Sequence, residues 1–382
     1  MGAMRAHAQR PAETVRRPGA HRARARRLLG ATAVLLAAAS GASLAGGPTA
    51  TAATPVRSAD FKAGVTYVGG FPDPAVIRTG GTYVAYATTL ASKTLPVMTS
   101  SSLRDWAPRY STSTRSAWEN DGMPVSMAAR WARRSYTNRS FVSSWAPSVG
   151  QLANRTWLVA YAPPTGSGKR CISVATSASA LGPFRDVSGA PIVCPSNQGA
   201  IDPFVYVAGS RAWLLWKTEG RPRAEPTKMW SRELNPNIAP GGAVTFASGS
   251  LPRLLLTTAQ VWEGNVIENP AMITYGGRTY LFYSANQWVN RSYAIGYARC
   301  AGPVGPCTRP RTTPLLASGA DVTGPGGPAP VVGPTGELLV GYAAFAPNAV
   351  GPGQPRRLSF SRLAVATTGD LSVRDRVYLP PA

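Results

Sequence analysis

Pro270-Ala271-Met272-Ile273-Thr274-Tyr275-Gly276-Gly277-Arg278-Thr279-Tyr280-Leu281-Phe282-Tyr283 reads as a β-hairpin. Two apolar runs of strand length flank a Gly-Gly pair, which supplies the positive φ of a tight two-residue turn. The same unit occurs five times. Pro74-Ala75-Val76-Ile77 leads to Tyr83-Val84-Ala85-Tyr86, and Pro147-Ser148-Val149 leads to Trp157-Leu158-Val159-Ala160-Tyr161. Pro203-Phe204-Val205-Tyr206 leads to Trp213-Leu214-Leu215-Trp216, and Pro328-Ala329-Pro330-Val331-Val332 leads to Leu338-Leu339-Val340-Gly341-Tyr342. From the proline to the second run is nine residues in the first copy and ten in the other four.

The anchor prolines lie 73, 56, 67 and 58 residues apart, which leaves room for a four-stranded sheet per repeat. The chain is therefore expected to be all-β, a five-bladed β-propeller. A two-sheet sandwich gives no reason for one hairpin to recur five times at this spacing. Tryptophans inside the second runs (Trp157, Trp213 and Trp216) are expected to pack between blades. Residues 126–134 carry the one short helical pattern.

The first 53 residues stand apart. Eight arginines there precede an apolar run over residues 28–44, followed by small residues such as Ala45, Ala50, Ala52 and Ala53. This is the layout of a secretory signal, and the run is short and alanine-rich for a spanning helix. Residues 1–53 are thus expected to be a secretory signal and disordered leader. Residues 54–382 then form a secreted propeller with no membrane attachment after signal removal.

The chain carries a formal charge of +23, of which the leader's eight arginines and one glutamate supply +7, leaving +16. The arginines are scattered, and no helix-turn-helix, zinc or RNA-binding pattern accompanies them, so a nucleic-acid partner is excluded. Cys171, Cys194, Cys300 and Cys307 can oxidise in an exported protein. Of three pairings, Cys171–Cys194 with Cys300–Cys307 is preferred, because each bridge then staples a single repeat.

Acids recur at one place in the repeat. Asp73 and Asp202 directly precede their anchor prolines, and Glu268 stands one residue earlier, separated from its proline by Asn269. First strands line the axis of a propeller, so equivalent positions converge there. Residues 54–382 hold 16 of the chain's 17 Asp and Glu residues, and three of them converge on this point. Clustered carboxylates shift one another's pKa values. Glycoside hydrolysis uses such a group: one acid to protonate the leaving oxygen and one carboxylate on the opposite face of the sugar.

Phe71-Pro72-Asp73-Pro74, Trp145-Ala146-Pro147, Ala200-Ile201-Asp202-Pro203-Phe204 and Val266-Ile267-Glu268-Asn269-Pro270, in this order, resemble the signatures of glycoside hydrolase family 43. The resemblance runs from about Phe61 to near the C-terminus. It implies an inverting enzyme acting on arabinofuranosides or xylosides, with Asp73 as general base, Glu268 as general acid and Asp202 tuning and orienting Glu268. Residues 171–184, 280–286 and 293–307 are similar to the actinobacterial exo-α-1,5-L-arabinofuranosidase branch. The implied substrate is an arabinose-containing poly- or oligosaccharide, and the chain is expected to act as a monomer. Alternatives are a β-xylosidase or endo-arabinanase of the same family, or a non-catalytic glycan-binding propeller. The related β-fructosidases carry Asn-Asp-Pro-Asn, Arg-Asp-Pro and Glu-Cys, which this chain lacks.

Family members often place a histidine after a Gly-Pro-Gly in blade five. Gly324-Pro325-Gly326-Gly327 has none, and His7 and His21 both lie in the leader. No metal site is therefore expected and no cofactor is required; an ion in the channel would have no histidine ligand. Trp145, Phe71 and Trp262 are expected to contact substrate, with Asn286 hydrogen-bonding to sugar hydroxyls.

Overall fold

The computed structural model describes residues 69–377 except 91, 109, 112–113, 119–120, 135–140, 196–197 and 222–223. The expected leader, residues 1–53, lies outside the described residues. Blade one consists of β1 (Ala75–Thr79), β2 (Thr82–Tyr86), β3 (Val97–Ser100) and β4 (Ala107–Pro108). A small hairpin follows, of β5 (Tyr110–Ser111) and β6 (Thr114–Trp118). Blade two has β7 (Trp145–Gln151), β8 (Trp157–Ala162) and β9 (Ser173–Ser177), with a bridge from Thr176 to Arg185 at its outer edge. Blade three has β10 (Ala200–Ala208), β11 (Arg211–Thr218), β12 (Lys228–Leu234) and β13 (Arg253–Thr257). Blade four has β14 (Ile267–Tyr275), β15 (Arg278–Ala285), β16 (Ala294–Cys300) and β17 (Cys307–Thr308). Blade five has β18 (Thr323–Val332), β19 (Leu338–Phe345), β20 (Arg357–Val365) and β21 (Leu371–Asp375).

Every blade is an antiparallel meander in sequence order. The innermost strands β1, β7, β10, β14 and β18 each adjoin the next, and β18 returns to β1. The ring closes without strand exchange among the described residues. Phe71 N donates to Arg356 O at 2.7 Å, and Tyr83 OH donates to Val332 O at 3.2 Å, both across the seam between blades five and one.

The core lies between blades. One apolar cluster joins blades one and two around Tyr86, Trp157 and Tyr161. A second joins blades two and three around Leu158 and Trp216, and a third joins three and four around Trp213 and Tyr283. A fourth runs through blades four, five and one. Burying each large side chain contributes about 1.5–3 kcal/mol. Tyrosine hydroxyls finish these seams by reaching neighbouring backbones, as with Tyr86 to Ala180 O and Tyr280 to Gly369 O, both at 2.9 Å. Within residues 126–134 the helical content is one 3-10 turn, Val125–Met127. Both expected disulfides, Cys171–Cys194 and Cys300–Cys307, are formed.

The residue before each anchor proline adopts a left-handed backbone: φ is 50° at Asp73, 37° at Ala146, 52° at Asp202, 51° at Asn269 and 66° at Gly327. In blades two to five this residue and its proline together oppose one residue of the second strand, which is a β-bulge. The nine-residue spacing of the first copy is a register shift. Tyr86 pairs with Ala75, the place that Leu215 and Phe282 take opposite Phe204 and Ala271.

Candidate active site

The bulges aim consecutive side chains at one end of the axis. A cavity of about 640 Å³ opens there, walled by all five blades. Asp73, Asp202 and Asn269 line it from the left-handed positions, and Pro72, Trp145, Ile201 and Glu268 from the residue before. The structure thus brings the three sequence-predicted carboxylates to one cleft, Asp73 from blade one and Glu268 from blade four.

Both Asp73 oxygens are held. Thr88 Oγ1 donates to Oδ2 at 2.8 Å, and Arg356 donates from NH1 to Oδ1 at 3.1 Å. Arg356 is itself buried beneath the ring of Tyr293, with its guanidinium 5.3 Å from the ring centroid. Gly327 packs against the Asp73 backbone closely enough that a β-carbon there would sit 3.0 Å from Asp73 Cα. Glycine at this place therefore answers the close approach of the two segments, since non-glycine residues hold a similar φ in the other four blades.

Glu268 is gripped from two sides. Lys217 Nζ donates to Oε2 at 2.9 Å, and Tyr293 OH lies 2.7 Å from Oε1. Tyr293 also lies 2.7 Å from Asn269 Oδ1, and its single proton serves one acceptor at a time. Lys217 is buried and also pairs with Glu219 at 3.0 Å. Burial opposes its charge, but Glu268, Glu219 and Asp202 outweigh burial and raise its pKa, so it stays a cation. Burial, then Glu268, pushes the Tyr293 phenol well up, so it remains a donor.

Asp202 is 5% exposed and accepts a bond from Asn269 N at 2.9 Å. Burial, reinforced by Glu268, holds its pKa well above the ordinary carboxylate range, with Lys217 pulling the other way. Asp202 therefore keeps a proton where an exposed aspartate has lost it. Among the described residues, no group of three or more His, Cys, Asp or Glu side chains is arranged to hold a metal ion.

The expected sugar contacts divide. Trp145 lines the cleft at 42% exposure, and the Arg170 guanidinium backs its ring 3.5 Å from the centroid. Asn286 lies on an adjoining cavity, with its Nδ2 donating to Trp262 O. Phe71 is corrected: it is fully buried in the core. It stands two residues before the left-handed position, and its equivalents Ser144, Ala200 and Ile267 are also at 0% exposure, because side chains alternate faces along a strand. Trp262 is corrected as well. Its ring stacks on Tyr283 at 6.0 Å inside blade four and does not line the cleft.

Sequence reasoning missed Thr88, Lys217, Tyr293 and Arg356. Lys217 carried a legible signal, as a charge that directly follows the apolar run Trp213-Leu214-Leu215-Trp216 within the same strand. By register it is equivalent to Ala162, Ser284 and Ala343, all small.

A five-bladed ring with acids gathered at one mouth of its axis is an arrangement that can serve glycoside hydrolysis. The chain belongs to the glycosyl hydrolases family 43, whose model matches residues 66–366. It is similar to the arabinoxylan arabinofuranohydrolase of Bacillus subtilis (strain 168), with 26% identity over 181 residues. That match covers 44% of this chain and 34% of that protein, so the alignment spans about a third of the relative's length. Two solved structures share the fold. One is an endo-1,4-beta-xylanase from Bacteroides thetaiotaomicron VPI-5482, with 22% identity, a TM-score of 0.64 and coverage of 84% of this chain and 98% of the other. The second is an alpha-L-arabinofuranosidase from Lactobacillus brevis, with 18% identity, a TM-score of 0.62 and coverage of 86% and 100%.

Proposed function

We propose that this glycoside hydrolase works by inversion and releases α-L-arabinofuranosyl units from arabinan-type polysaccharides or oligosaccharides. The observation that carries the reading is that Asp73 and Glu268 line one cleft, from blades one and four, with buried Asp202 on the same cleft.

Asp73 is the general base. Arg356 and Thr88 each occupy one of its oxygens, which orients the carboxylate and leaves lone pairs for a water. That water's oxygen forms the new bond to the anomeric carbon, and its proton passes to Asp73. The glycosidic C–O bond breaks with its electron pair going to the leaving oxygen, which takes a proton from Glu268. When Tyr293 turns its hydroxyl to Asn269, Glu268 Oε1 is free to carry that proton. Burial, reinforced by the Glu268 carboxylate, raises the Asp202 pKa, so Asp202 adds little negative charge beside Glu268. Trp145, braced from behind by Arg170, offers an apolar face to the sugar ring.

The arabinose assignment draws on the names of the Bacillus subtilis and Lactobacillus brevis proteins. A β-xylosidase is the second reading. We extend the proposal to export: the basic and apolar leader supports it, as do two disulfides of the kind that persist in oxidising surroundings.

The test is arabinose release from 4-nitrophenyl α-L-arabinofuranoside and linear arabinan, with xylan and 4-nitrophenyl β-xyloside as controls. Asp73→Asn and Glu268→Gln are each expected to lose about 10²–10⁴-fold in rate. NMR of the first-formed anomer is expected to report inversion. Wild-type rates in both variants would refute the assignment of roles, and xylose release alone would move the substrate to the second reading.

A further inference from the structure

Asn269 holds the left-handed place of blade four, with φ at 51°. The equivalent place is an acid in blades one and three, alanine in blade two and glycine in blade five. Alanine and glycine satisfy the backbone there, so the bulge itself does not call for an amide. Asn269 is half-buried and lines the catalytic cleft with Asp73, Asp202 and Glu268. With Asp73 and Asp202 it also lines a cavity of about 520 Å³ along the axis behind the cleft, so it stands at the cleft's floor.

Two contacts fix the residue. Its backbone N donates to Asp202 Oδ2 at 2.9 Å, and its Oδ1 lies 2.7 Å from Tyr293 OH. When Tyr293 donates to Oδ1, which leaves Glu268 free to carry its proton, the amide nitrogen points away from the phenol. Among the described residues Nδ2 forms no hydrogen bond, and it is open to the cavity. An amide held at both ends thus presents a pre-oriented donor to whatever fills the cleft.

We propose that Asn269 is a specificity-determining residue, whose Nδ2 donates to the hydroxyl on the sugar carbon next to the anomeric centre. The inference rests on the reading of Glu268 as the acid. Glu268 meets the leaving oxygen on the anomeric carbon. Tyr293 OH lies 2.7 Å from Glu268 Oε1 as well, so one hydroxyl links the acid's carboxyl to the amide. The amide therefore stands beside the anomeric carbon. Besides the leaving oxygen, the sugar oxygens nearest that carbon are the ring oxygen and the 2-hydroxyl. The ring oxygen releases electrons to the oxocarbenium-like transition state, and a donor on it would oppose that release. The 2-hydroxyl has no such role, and hydrogen bonds to it strengthen as the transition state forms. The site then selects sugars that carry an oxygen at this carbon, because without it the amide stays unpaired.

The experiment uses the full chain, with Asn269→Ala and Asn269→Gly as variants. Blades two and five hold these residues at the same backbone conformation, so both suit the bulge. The readout is kcat/KM for 4-nitrophenyl α-L-arabinofuranoside relative to its 2-deoxy and 3-deoxy analogues. Intrinsic reactivity differs among the three glycosides but is the same for every protein, so it cancels between proteins. The preference for the parent over the 2-deoxy sugar is expected to fall about tenfold in both variants, with the preference over the 3-deoxy sugar unchanged. General loosening of the site would lower all three rates alike. An unchanged 2-deoxy preference, or an equal fall for the 3-deoxy sugar, overturns the assignment. If wild type cleaves only xylosides, the same series of β-xylosides replaces the first. If it cleaves neither, the proposed function fails, and calorimetry with methyl α-L-arabinofuranoside and its 2-deoxy analogue decides for Asn269. A gain from the 2-hydroxyl that is lost in Asn269→Ala upholds the donor; no binding, or a gain that persists, overturns it.

Discussion

Replacing Lys217 by methionine should move the alkaline limb of the pH–rate profile upward. Lys217 is the buried cation against Glu268, at 2.9 Å, and it also pairs with Glu219 and acts on Asp202. At an effective dielectric of 20, unit charges at that distance attract by about 6 kcal/mol. Burial of the ammonium offsets much of this, and an opposite charge at contact distance typically shifts a carboxylate by about 1–3 pKa units. The sign follows from which state the cation favours. Lys217 pulls the Asp202 pKa down against burial and Glu268, so its removal makes Asp202 hold its proton more tightly. That proton is then lost at higher pH. In kcat/KM against pH for linear arabinotriose, whose alcohol leaving group needs a proton, the alkaline limb is expected to move upward. The acid limb should stay in place, because Arg356 and Thr88 hold Asp73 and neither is touched. Methionine keeps the length of the side chain, which limits the cavity left behind. Simple destabilisation would lower the rate across all pH values without moving a limb. An alkaline limb that stays still or moves down would refute the reasoning.

Three further outcomes are expected. Asp202→Asn should melt at a higher temperature than wild type at pH 8, with the difference closing toward pH 4. Burial and Glu268 raise the native pKa of Asp202 above its unfolded value, so wild-type stability falls as pH rises through that window, and asparagine removes the slope. Gly326→Ala should cut kcat by about 10–100-fold, as should Tyr293→Phe, with the double variant little worse. A methyl at 326 overlaps the Tyr293 ring and displaces its hydroxyl from Glu268. In urea melts, converting Cys171 and Cys194 to serine should cost about 3 kcal/mol, against about 2 kcal/mol for Cys300 and Cys307, because the first bridge closes 23 residues and the second 7.

The ring and the carboxylates were legible because the repeat carries both. Proline, hairpin turn and aromatic strand recur in sequence, and the fold superposes what recurs. Tyr293 and Arg356 were not legible, because each stands just before the third strand of its blade, outside the hairpin that recurs, and the signal at Lys217 was missed because its counterparts Ala162, Ser284 and Ala343 are small. Phe71 was misread for a different reason. Nearness to a motif says little about facing, since one step along a strand reverses it: Pro72 lines the cleft and Phe71 the core.

The bulges also explain why the acids could gather in blades one, three and four. A left-handed residue turns its own N–H out of the ladder, and that donor needs a partner. In blade two, Ala146 N donates to Thr88 Oγ1 of blade one at 2.9 Å. In blade five, Gly327 N donates to Ser284 Oγ of blade four at 2.8 Å. By register, Thr88, Ser284 and Lys217 hold the same place, next to the following blade's bulge. A lysine cannot accept, so in blade four the donor Asn269 N turns instead to Asp202 Oδ2. One exchange of hydroxyl for ammonium thus does two things. It brings a buried cation to Glu268, and it draws Asp202 onto the backbone beside it. A bond made by hydroxyls in two blades is replaced at blade four by one from Asp202, and the resulting asymmetry in charge distinguishes the surroundings of Glu268 from those of Asp73.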